Sequence, residues 1–286
     1  MTVTKLASKT ETNQCNPSSE RSAAALETKR HNIVAPSALA ISVYNVTVAY
    51  NSRPVLRSVS FDVSPGQMVG IIGPNGAGKS TLMKTILGLQ ATDCGIVTVF
   101  NESITRCRSR VAYVPQIEAV DWDFPVRVLD VVMMGRSRRL QWGLWPGRHD
   151  RCMAHEALQL VGMSRFMDRH IRQLSGGQQQ RVFIARALCQ QADVLLLDEP
   201  FAGVDAATEH SIFELIERLT AQNRTLLVVN HDLKILKRFD NLLLLNQRVI
   251  AYGPPHEVAT DENLRRTYGG RLNLLDRAEE SLRGVQ

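Results

Sequence analysis

Nine consecutive residues, GPNGAGKST at positions 73–81, have the composition of a loop that binds phosphate. They match the pattern GxxxxGK[ST], with the apolar stretch MVGII before it and the helical stretch LMKTILGL after it. Glycines let the backbone curl so that N–H groups face phosphate oxygens, and the following helix adds partial positive charge. Lys79 would then reach the β and γ phosphates, and the Ser80 hydroxyl would face Mg²⁺. The predicted nucleotide-binding residues of this loop are Gly73, Pro74, Asn75, Gly76, Ala77, Gly78, Lys79, Ser80 and Thr81.

Two adjacent carboxylates end another apolar stretch, VLLLDEP at 194–200. Like charges placed side by side raise each other's pKa unless a cation lies nearby. We expect Asp198 to hold Mg²⁺, directly or through water, and Glu199 to polarise the attacking water. A general base of this kind accelerates a reaction roughly 10²–10⁴-fold. Together with the phosphate-binding loop, the pair predicts a centre that hydrolyses nucleotide.

A second anion-binding element lies in LSGGQQQR at 174–181, just before that acidic stretch. Ser175 is a natural N-cap residue, and Gly176 and Gly177 leave backbone N–H groups open at a helix N-terminus. Alone, this pattern would indicate only a capped helix. The phosphate-binding loop already accounts for one bound nucleotide, so the role of a second phosphate-binding element in the same chain has to be explained.

The order of these motifs resembles the ATP-binding cassette (ABC) ATPases. The phosphate-binding loop, Gln116, LSGGQ, LLLDEP and His231 follow one another as in that family, and the likeness covers roughly residues 41–255. In the family, two subunits pack head to tail, and the signature of one closes on the ATP held by the other. One copy of each motif therefore implies a homodimer with two composite sites that use ATP and Mg²⁺. The signature residues that would serve the partner's ATP are Leu174, Ser175, Gly176, Gly177 and Gln178.

The resemblance also implies roles for single residues. Tyr50 is similar to the aromatic residue that stacks on adenine, although a tyrosine that merely packs in a sheet is the alternative. Gln116 is similar to the Q-loop glutamine, and His231 to the switch histidine that contacts the γ-phosphate. Asp205, in FAGVD, takes the place of the D-loop aspartate. The implied catalytic residues are Glu199, His231 and Gln116, and the implied Mg²⁺ ligands are Ser80, Gln116 and Asp198.

The elements that must position these residues alternate along the chain. ISVYNVTVAY and the two stretches around Ser64-Pro65-Gly66 predict strands, as do DVLLLDE and TLLVVNH, with helices at 78–88, 177–191 and 208–222. Strands that alternate with helices indicate an α/β fold with a largely parallel sheet covered on both faces. The resemblance specifies it further as a P-loop NTPase: a RecA-like parallel core, an antiparallel β subdomain and a helical insert specific to ABC ATPases.

Three segments follow from this pattern. Residues 1–39 are polar and predict a flexible tail, and residues 40–255 predict the ATPase domain. Within that domain, about 117–173 has helical periodicity and predicts the helical subdomain. Residues 256–286 predict a helical C-terminal appendage.

The composition is that of a globular protein, with 44% hydrophobic and 22% charged residues, and no apolar run is long enough to cross a bilayer. The resemblance therefore implies a peripheral subunit at the cytoplasmic face of the cell membrane, bound to an integral-membrane permease. The residues that follow Gln116, EAVDWDFPVRVLDVVMMGR, are similar to those of the family branch that takes up manganese, zinc or iron with an extracytoplasmic substrate-binding protein. Importers of iron chelates or cobalamin, and ABC ATPases that serve a soluble assembly, are the alternatives.

Two surface features invite other interpretations. Asp121 and Asp123 flank Trp122, yet two acids supply too few ligands for a cation, so we expect residues 121–124 to face the permease. A net charge of +6 and a basic cluster with two tryptophans could suit an anionic surface. We expect a solvated or membrane-proximal face and no nucleic-acid partner. The cluster consists of Arg136, Arg138, Arg139, Arg148, Arg151, Trp142 and Trp145.

Overall fold

The computed structural model describes residues 39–116, 125–137 and 146–269 of the 286-residue chain. Most of the predicted N-terminal tail, the predicted docking residues 121–124 and the end of the predicted appendage lie outside these residues, as do Arg138, Arg139, Trp142 and Trp145. Within the described ranges, no helix has the length and apolar character that a bilayer crossing requires.

Strands in the described residues alternate with helices, as the sequence predicts. The strands are β1 (Ile41–Tyr50), β2 (Arg53–Val63), β3 (Met68–Ile72), β4 (Cys94–Val99), β5 (Glu102–Ser103), β6 (Val111–Val114), β7 (Val194–Asp198), β8 (Thr225–Asn230), β9 (Asn241–Asn246) and β10 (Arg248–Gly253). The α-helices are α1 (Lys79–Ile86), α2 (Ile104–Cys107), α3 (Val128–Met133), α4 (Arg148–Leu160), α5 (Gly176–Cys189), α6 (Ala206–Ala221), α7 (Pro255–Val258) and α8 (Asp261–Tyr268). Short 3₁₀ segments cover Arg108–Arg110, Met134–Arg136, Ser164–Phe166, Ile171–Gln173 and Leu233–Arg238.

These strands form two sheets. The larger has the order β10-β9-β3-β8-β7-β6, and all its neighbours are parallel except the edge pair β10 and β9. The smaller has the order β2-β1-β4-β5 and is antiparallel. The α/β class, the parallel core and the antiparallel subdomain are therefore confirmed. The carboxyl ends of β3, β6, β7 and β8 lie at one edge of the larger sheet, where ligands bind in folds of this kind.

Apolar side chains cover both faces of the larger sheet. Along β7, Leu195 and Leu197 join one hydrophobic cluster, whereas Val194 and Leu196 join another. The first cluster contains side chains of α3, α4, α5 and α6, and the second contains those of β1, β2 and α1. Burial on both faces explains why residues 194–197 of β7 are all apolar rather than alternately apolar and polar. Each fully buried Leu or Val contributes about 1.5–3 kcal/mol.

The helices α3 to α5 pack together beside the sheet and hold a buried ion pair. Arg136 is only 3% exposed, and its Nε donates to Asp150 Oδ1 at 2.8 Å. The guanidinium also donates to the Cys189 carbonyl oxygen at 3.3 Å, at the end of α5. Our interpretation of Arg136 as part of an exposed basic face is therefore wrong, because the pairing removes this charge from the surface.

The last described residues pack against the larger sheet. Val258 of α7 is buried in the first cluster, and Leu264 of α8 packs against it. The Asn246 side-chain amide donates to the Thr267 carbonyl oxygen at 2.9 Å. These contacts attach α7 and α8 to the end of β9.

Candidate active site

The phosphate-binding loop connects the carboxyl end of β3 to the start of α1. Gly78 precedes α1 with a φ of 97°, a conformation that residues with a Cβ rarely adopt. A Cβ on Gly73 would lie 2.0 Å from the Leu245 carbonyl oxygen, so only glycine fits against β9 there. The Gln247 N–H donates to the Ala77 carbonyl oxygen at 2.8 Å, which ties the loop to the β9–β10 turn.

Lys79 is the buried cation of this loop, at 6% exposure. Its Nζ donates to the carbonyl oxygens of Gly73 at 2.7 Å and Pro74 at 3.1 Å. Burial lowers the pKa of Lys79, and the negative charges of Glu199 and Asp198 oppose that shift. The ammonium thus lies within the field of the acidic pair, although the two motifs are about 120 residues apart in the sequence.

A cavity of about 400 Å³ opens beside the loop. That volume falls in the usual range for small-molecule sites. Val55, Gln116, Glu199 and residues 75–81 line it. Seven of the predicted nucleotide-binding residues therefore meet Gln116 and Glu199 in one cavity, whereas Gly73, Pro74 and Tyr50 are not part of its wall.

The two acids at the end of β7 lie in different environments. Asp198 is 5% exposed, and the Tyr113 hydroxyl donates to its Oδ2 at 3.1 Å. Burial, followed by the charge and hydrogen bond of Asp198, raises the pKa of Tyr113, so the phenol remains a neutral donor. Glu199 lines the cavity, and the Gln116 Nε2 donates to its Oε2 at 3.2 Å.

Glu199 has a left-handed backbone conformation, with a φ of 49°. Such a conformation costs a residue with a Cβ about 1–2 kcal/mol. Two backbone bonds fix it: the Glu199 N–H donates to the Val229 carbonyl oxygen, and the Ala202 N–H donates to the Glu199 carbonyl oxygen, both at 3.2 Å. Strain that the surrounding backbone maintains in this way is typical of functional positions.

Oxygen donors in the cavity wall and on Asp198, next to Glu199 in the chain, fit Mg²⁺. Ser80, Gln116 and Asp198 offer a hydroxyl, an amide carbonyl and a carboxylate, all oxygen donors, as Mg²⁺ prefers. Mg²⁺ usually takes only one or two carboxylates and completes its shell with phosphate and water oxygens. No group of three or more His, Cys, Asp or Glu residues suited to a metal occurs in the described part of the chain.

The signature residues form the exposed N-terminus of α5. Ser175 is the N-cap: its Oγ accepts from the Gln178 N–H at 3.4 Å, while the Gln178 Oε1 accepts from the Ser175 N–H at 3.1 Å. Ser175 and Gly176 are exposed, and no signature residue lines the cavity of this chain. A Cβ on Gly177 would lie 2.5 Å from Thr208 Cγ2, so glycine permits close packing of α5 on α6.

Asp205 caps α6 beside the signature. Its Oδ1 accepts from the Thr208 N–H at 2.9 Å and its Oδ2 from the Thr208 hydroxyl at 2.8 Å. These bonds lower the pKa of Asp205. The carboxylate therefore carries its charge next to the exposed helix N-terminus of α5.

Two predicted residues lie away from the cavity wall. His231 follows β8 and is exposed, in a turn where Asn230 Nδ2 donates to the Asp232 carbonyl oxygen at 2.9 Å. Tyr50 ends β1 and is 43% exposed, with its hydroxyl donating to Gln90 Oε1 at 3.0 Å. Their contacts to nucleotide stay predictions.

Two residues near the acids were not predicted from the sequence. Tyr113 contacts Asp198, and the Arg186 Nη2 of α5 donates to the Tyr113 carbonyl oxygen at 3.0 Å. Tyr113 lies in an apolar stretch three residues before Gln116, which is the only available signal. Arg186 lies 73 residues from Tyr113, and only the fold brings them together.

Comparison with known proteins agrees with this geometry. The family model described as ABC transporter matches residues 56–202. The manganese transport system ATP-binding protein MntB of Bacillus subtilis (strain 168) is 53% identical over 236 residues, which cover 82% of this chain and 94% of that protein. The zinc transport system ATP-binding protein TroB of Treponema pallidum (strain Nichols) is 52% identical over 241 residues, which cover 84% and 91%.

A solved structure is similar as well. It is a dimeric ATP-binding cassette in a post-hydrolysis state bound to ADP and Pi, with a TM-score of 0.66 and 28% identity. The likeness covers 75% of this chain and 98% of that chain. The motifs, the sheet topology and these relatives agree, and the chain belongs to the ABC transporter family as one of its ATP-binding proteins.

Proposed function

We propose that this chain is the ATP-hydrolysing subunit of an ABC importer that takes up a metal cation, manganese or zinc, through a separate permease. The observation that carries the proposal is the meeting of Lys79, Gln116 and Glu199 in one cavity within a chain more than half identical to MntB and TroB. The subunit would work at the cytoplasmic face of the membrane, held there by the permease.

In the ATP site, the buried residues supply charge and orientation. Lys79 exchanges its carbonyl partners for the β and γ phosphates when nucleotide enters, since phosphate oxygens are the stronger acceptors. Glu199, held by Gln116, accepts a proton from the attacking water. His231 contacts the γ-phosphate, and Gln116 contacts Mg²⁺ and the attacking water. Mg²⁺, when bound by Ser80, Gln116 and Asp198, neutralises charge on the phosphate oxygens.

A second copy of the chain completes each site. Ser175 and Gly176 are exposed at the start of α5 and lie outside their own cavity, which leaves that helix N-terminus available to a partner's γ-phosphate. The relative that is dimeric with ADP and Pi supports this arrangement. We therefore propose a head-to-tail homodimer that closes on two ATP molecules and opens after hydrolysis.

The permease would dock in a groove beside β6. Leu87, Leu89 and Ile104 line a cavity of about 140 Å³ there, together with Arg108 and Gln190. Leu89 is 67% exposed and lies in the same groove as the half-buried Leu87 and Ile104, so a partner seated there would cover contiguous apolar surface. Because β6 ends two residues before Gln116, a segment seated in this groove would act on the strand that leads to the catalytic glutamine.

Co-purification tests the docking surface. Leu89→Glu places a charge in the groove and is expected to abolish co-purification with the permease, while the isolated subunit still binds ATP. Leu160→Glu is the matched control, because Leu160 is also exposed, at 53%, on α4. Equal retention of both variants on the permease would exclude this groove as the docking site.

Uptake of radiolabelled manganese and zinc tests the cargo. A strain that lacks the chain is expected to lose uptake of one of the two metals, and the parent sequence is expected to restore it. The Glu199→Gln chain should not restore uptake, although it binds ATP, so transport rather than nucleotide binding is measured. Equal uptake of both metals in the deletion and parent strains would refute metal import.

A further inference from the structure

The hydroxyl of Tyr113 is the hydrogen-bond donor that faces the buried carboxylate of Asp198. The two residues are 85 positions apart, and the Tyr113 oxygen lies 3.1 Å from Asp198 Oδ2. Strand pairing creates the contact: Tyr113 is in register with Leu196 of the parallel neighbour β7, two residues before Asp198. The phenol therefore reaches along the sheet edge toward the end of β7.

The backbone of Tyr113 is fixed independently of this contact. Arg186 Nη2 donates to the Tyr113 carbonyl oxygen at 3.0 Å, and its guanidinium lies 4.6 Å from the centre of the Phe183 ring. Both residues belong to α5. A tyrosine held at its carbonyl and at its hydroxyl has little freedom to move, so it can hold its acceptor in one orientation.

We propose that Tyr113 is a positioning residue for Asp198: its hydroxyl holds Oδ2 and thereby directs Oδ1 to the Mg²⁺ that accompanies ATP. A carboxylate that ligates a metal is usually oriented by hydrogen bonds from outside the metal shell, and loss of such a partner weakens metal affinity about 10–100-fold. The inference rests on the assignment of Asp198 to Mg²⁺ in the proposed function.

The test is the Mg²⁺ dependence of nucleotide binding and of ATP hydrolysis in the full chain. Tyr113→Phe removes only the hydroxyl. We expect its half-saturating Mg²⁺ concentration to rise about tenfold in both fluorescent-ADP binding and ATPase assays. Affinity for fluorescent ADP without Mg²⁺ and kcat at saturating Mg²⁺ are expected to stay at the parent values, a separation that general damage to the fold would not produce.

Tyr252→Phe is the matched control. The Tyr252 hydroxyl also donates a hydrogen bond, to the Asp62 carbonyl oxygen at 2.5 Å, but it lies between β10 and β2. The control should keep the parent Mg²⁺ midpoint. Thermal melting of both variants verifies that each is folded.

A double-mutant cycle separates the inference from the assignment beneath it. Asp198→Asn alone is expected to raise the Mg²⁺ midpoint, and addition of Tyr113→Phe should then raise it no further. If Asp198→Asn raises the midpoint but Tyr113→Phe does not, or if the two effects add fully, the inference about Tyr113 is overturned. If Asp198→Asn leaves the midpoint unchanged, the assignment of Asp198 itself is wrong.

Discussion

Replacement of Lys79 by methionine removes the one charge that the phosphate-binding loop keeps buried. Methionine preserves most of the length of the side chain, so the volume inside the loop changes little. In the parent chain, Nζ is held by the carbonyl oxygens of Gly73 and Pro74 at 2.7 and 3.1 Å. Water from the adjoining cavity can reach these oxygens in the variant, and we expect the fold to survive.

The magnitude follows from the bonds that the ammonium makes to phosphate. A hydrogen bond to a charged group contributes a net of about 1.5–3 kcal/mol, and each 1.4 kcal/mol is tenfold in affinity. Lys79→Met should therefore weaken ATP binding by about 10- to 150-fold. The net free energy of the Lys79–phosphate interaction does not exceed this range, because the phosphates replace two carbonyl contacts that Lys79 already makes.

The assay is equilibrium binding of fluorescent ATP, with thermal melting as a check of folding. Lys84→Met is the matched control, since Lys84 is exposed on the same helix, α1. The control should bind ATP like the parent. If Lys79→Met bound ATP within about threefold of the parent affinity, a smaller change than the expected loss, Lys79 would not be the phosphate-binding lysine. Equal losses of affinity in both variants would indicate an effect of net charge instead.

Three further outcomes are expected. Glu199→Gln should bind ATP and form a stable dimer in size-exclusion chromatography, yet hydrolyse roughly 10²–10⁴-fold more slowly; rapid turnover would remove its general-base role. Gly73→Ala should abolish ATP binding, because its Cβ would lie 2.0 Å from the Leu245 carbonyl oxygen, and normal affinity would contradict that packing. Hydrogen bonds from the Arg136 side chain and then from the Gly147 N–H lower the pKa of Asp150. The Arg136–Asp150 ion pair therefore stabilises the fold above the ordinary aspartate pKa, and this stabilisation is lost as the pH falls through the lowered value. Asp150→Asn should therefore lower Tm at neutral pH more than the exposed Glu217→Gln does, with the difference shrinking in acid; a constant difference would exclude the ion pair as its cause.

Local sequence patterns are enough to predict several parts of the site. Glycine spacing specifies the loop before Lys79, and apolar runs at every position specify strands buried on both faces. Ser175 followed by Gln178 specifies a capped helix start, and the structure has both capping bonds. These features depend on neighbours within a few residues, so pattern alone predicts them. The order of the motifs carries the family resemblance, and that resemblance implies a second subunit.

The contacts between distant groups of the site depend on the fold of the whole domain. Gln116 contacts Glu199 across 83 residues, because parallel pairing of β6 with β7 brings their carboxyl ends to one edge of the sheet. Arg136 has the sequence environment of a surface cation, yet α4 supplies a carboxylate that makes its burial favourable. Tyr113 likewise acquires its partner through strand register. Strand register and helix packing depend on the whole core. A side chain that finds its partner on another strand or helix therefore has no local signature in the sequence.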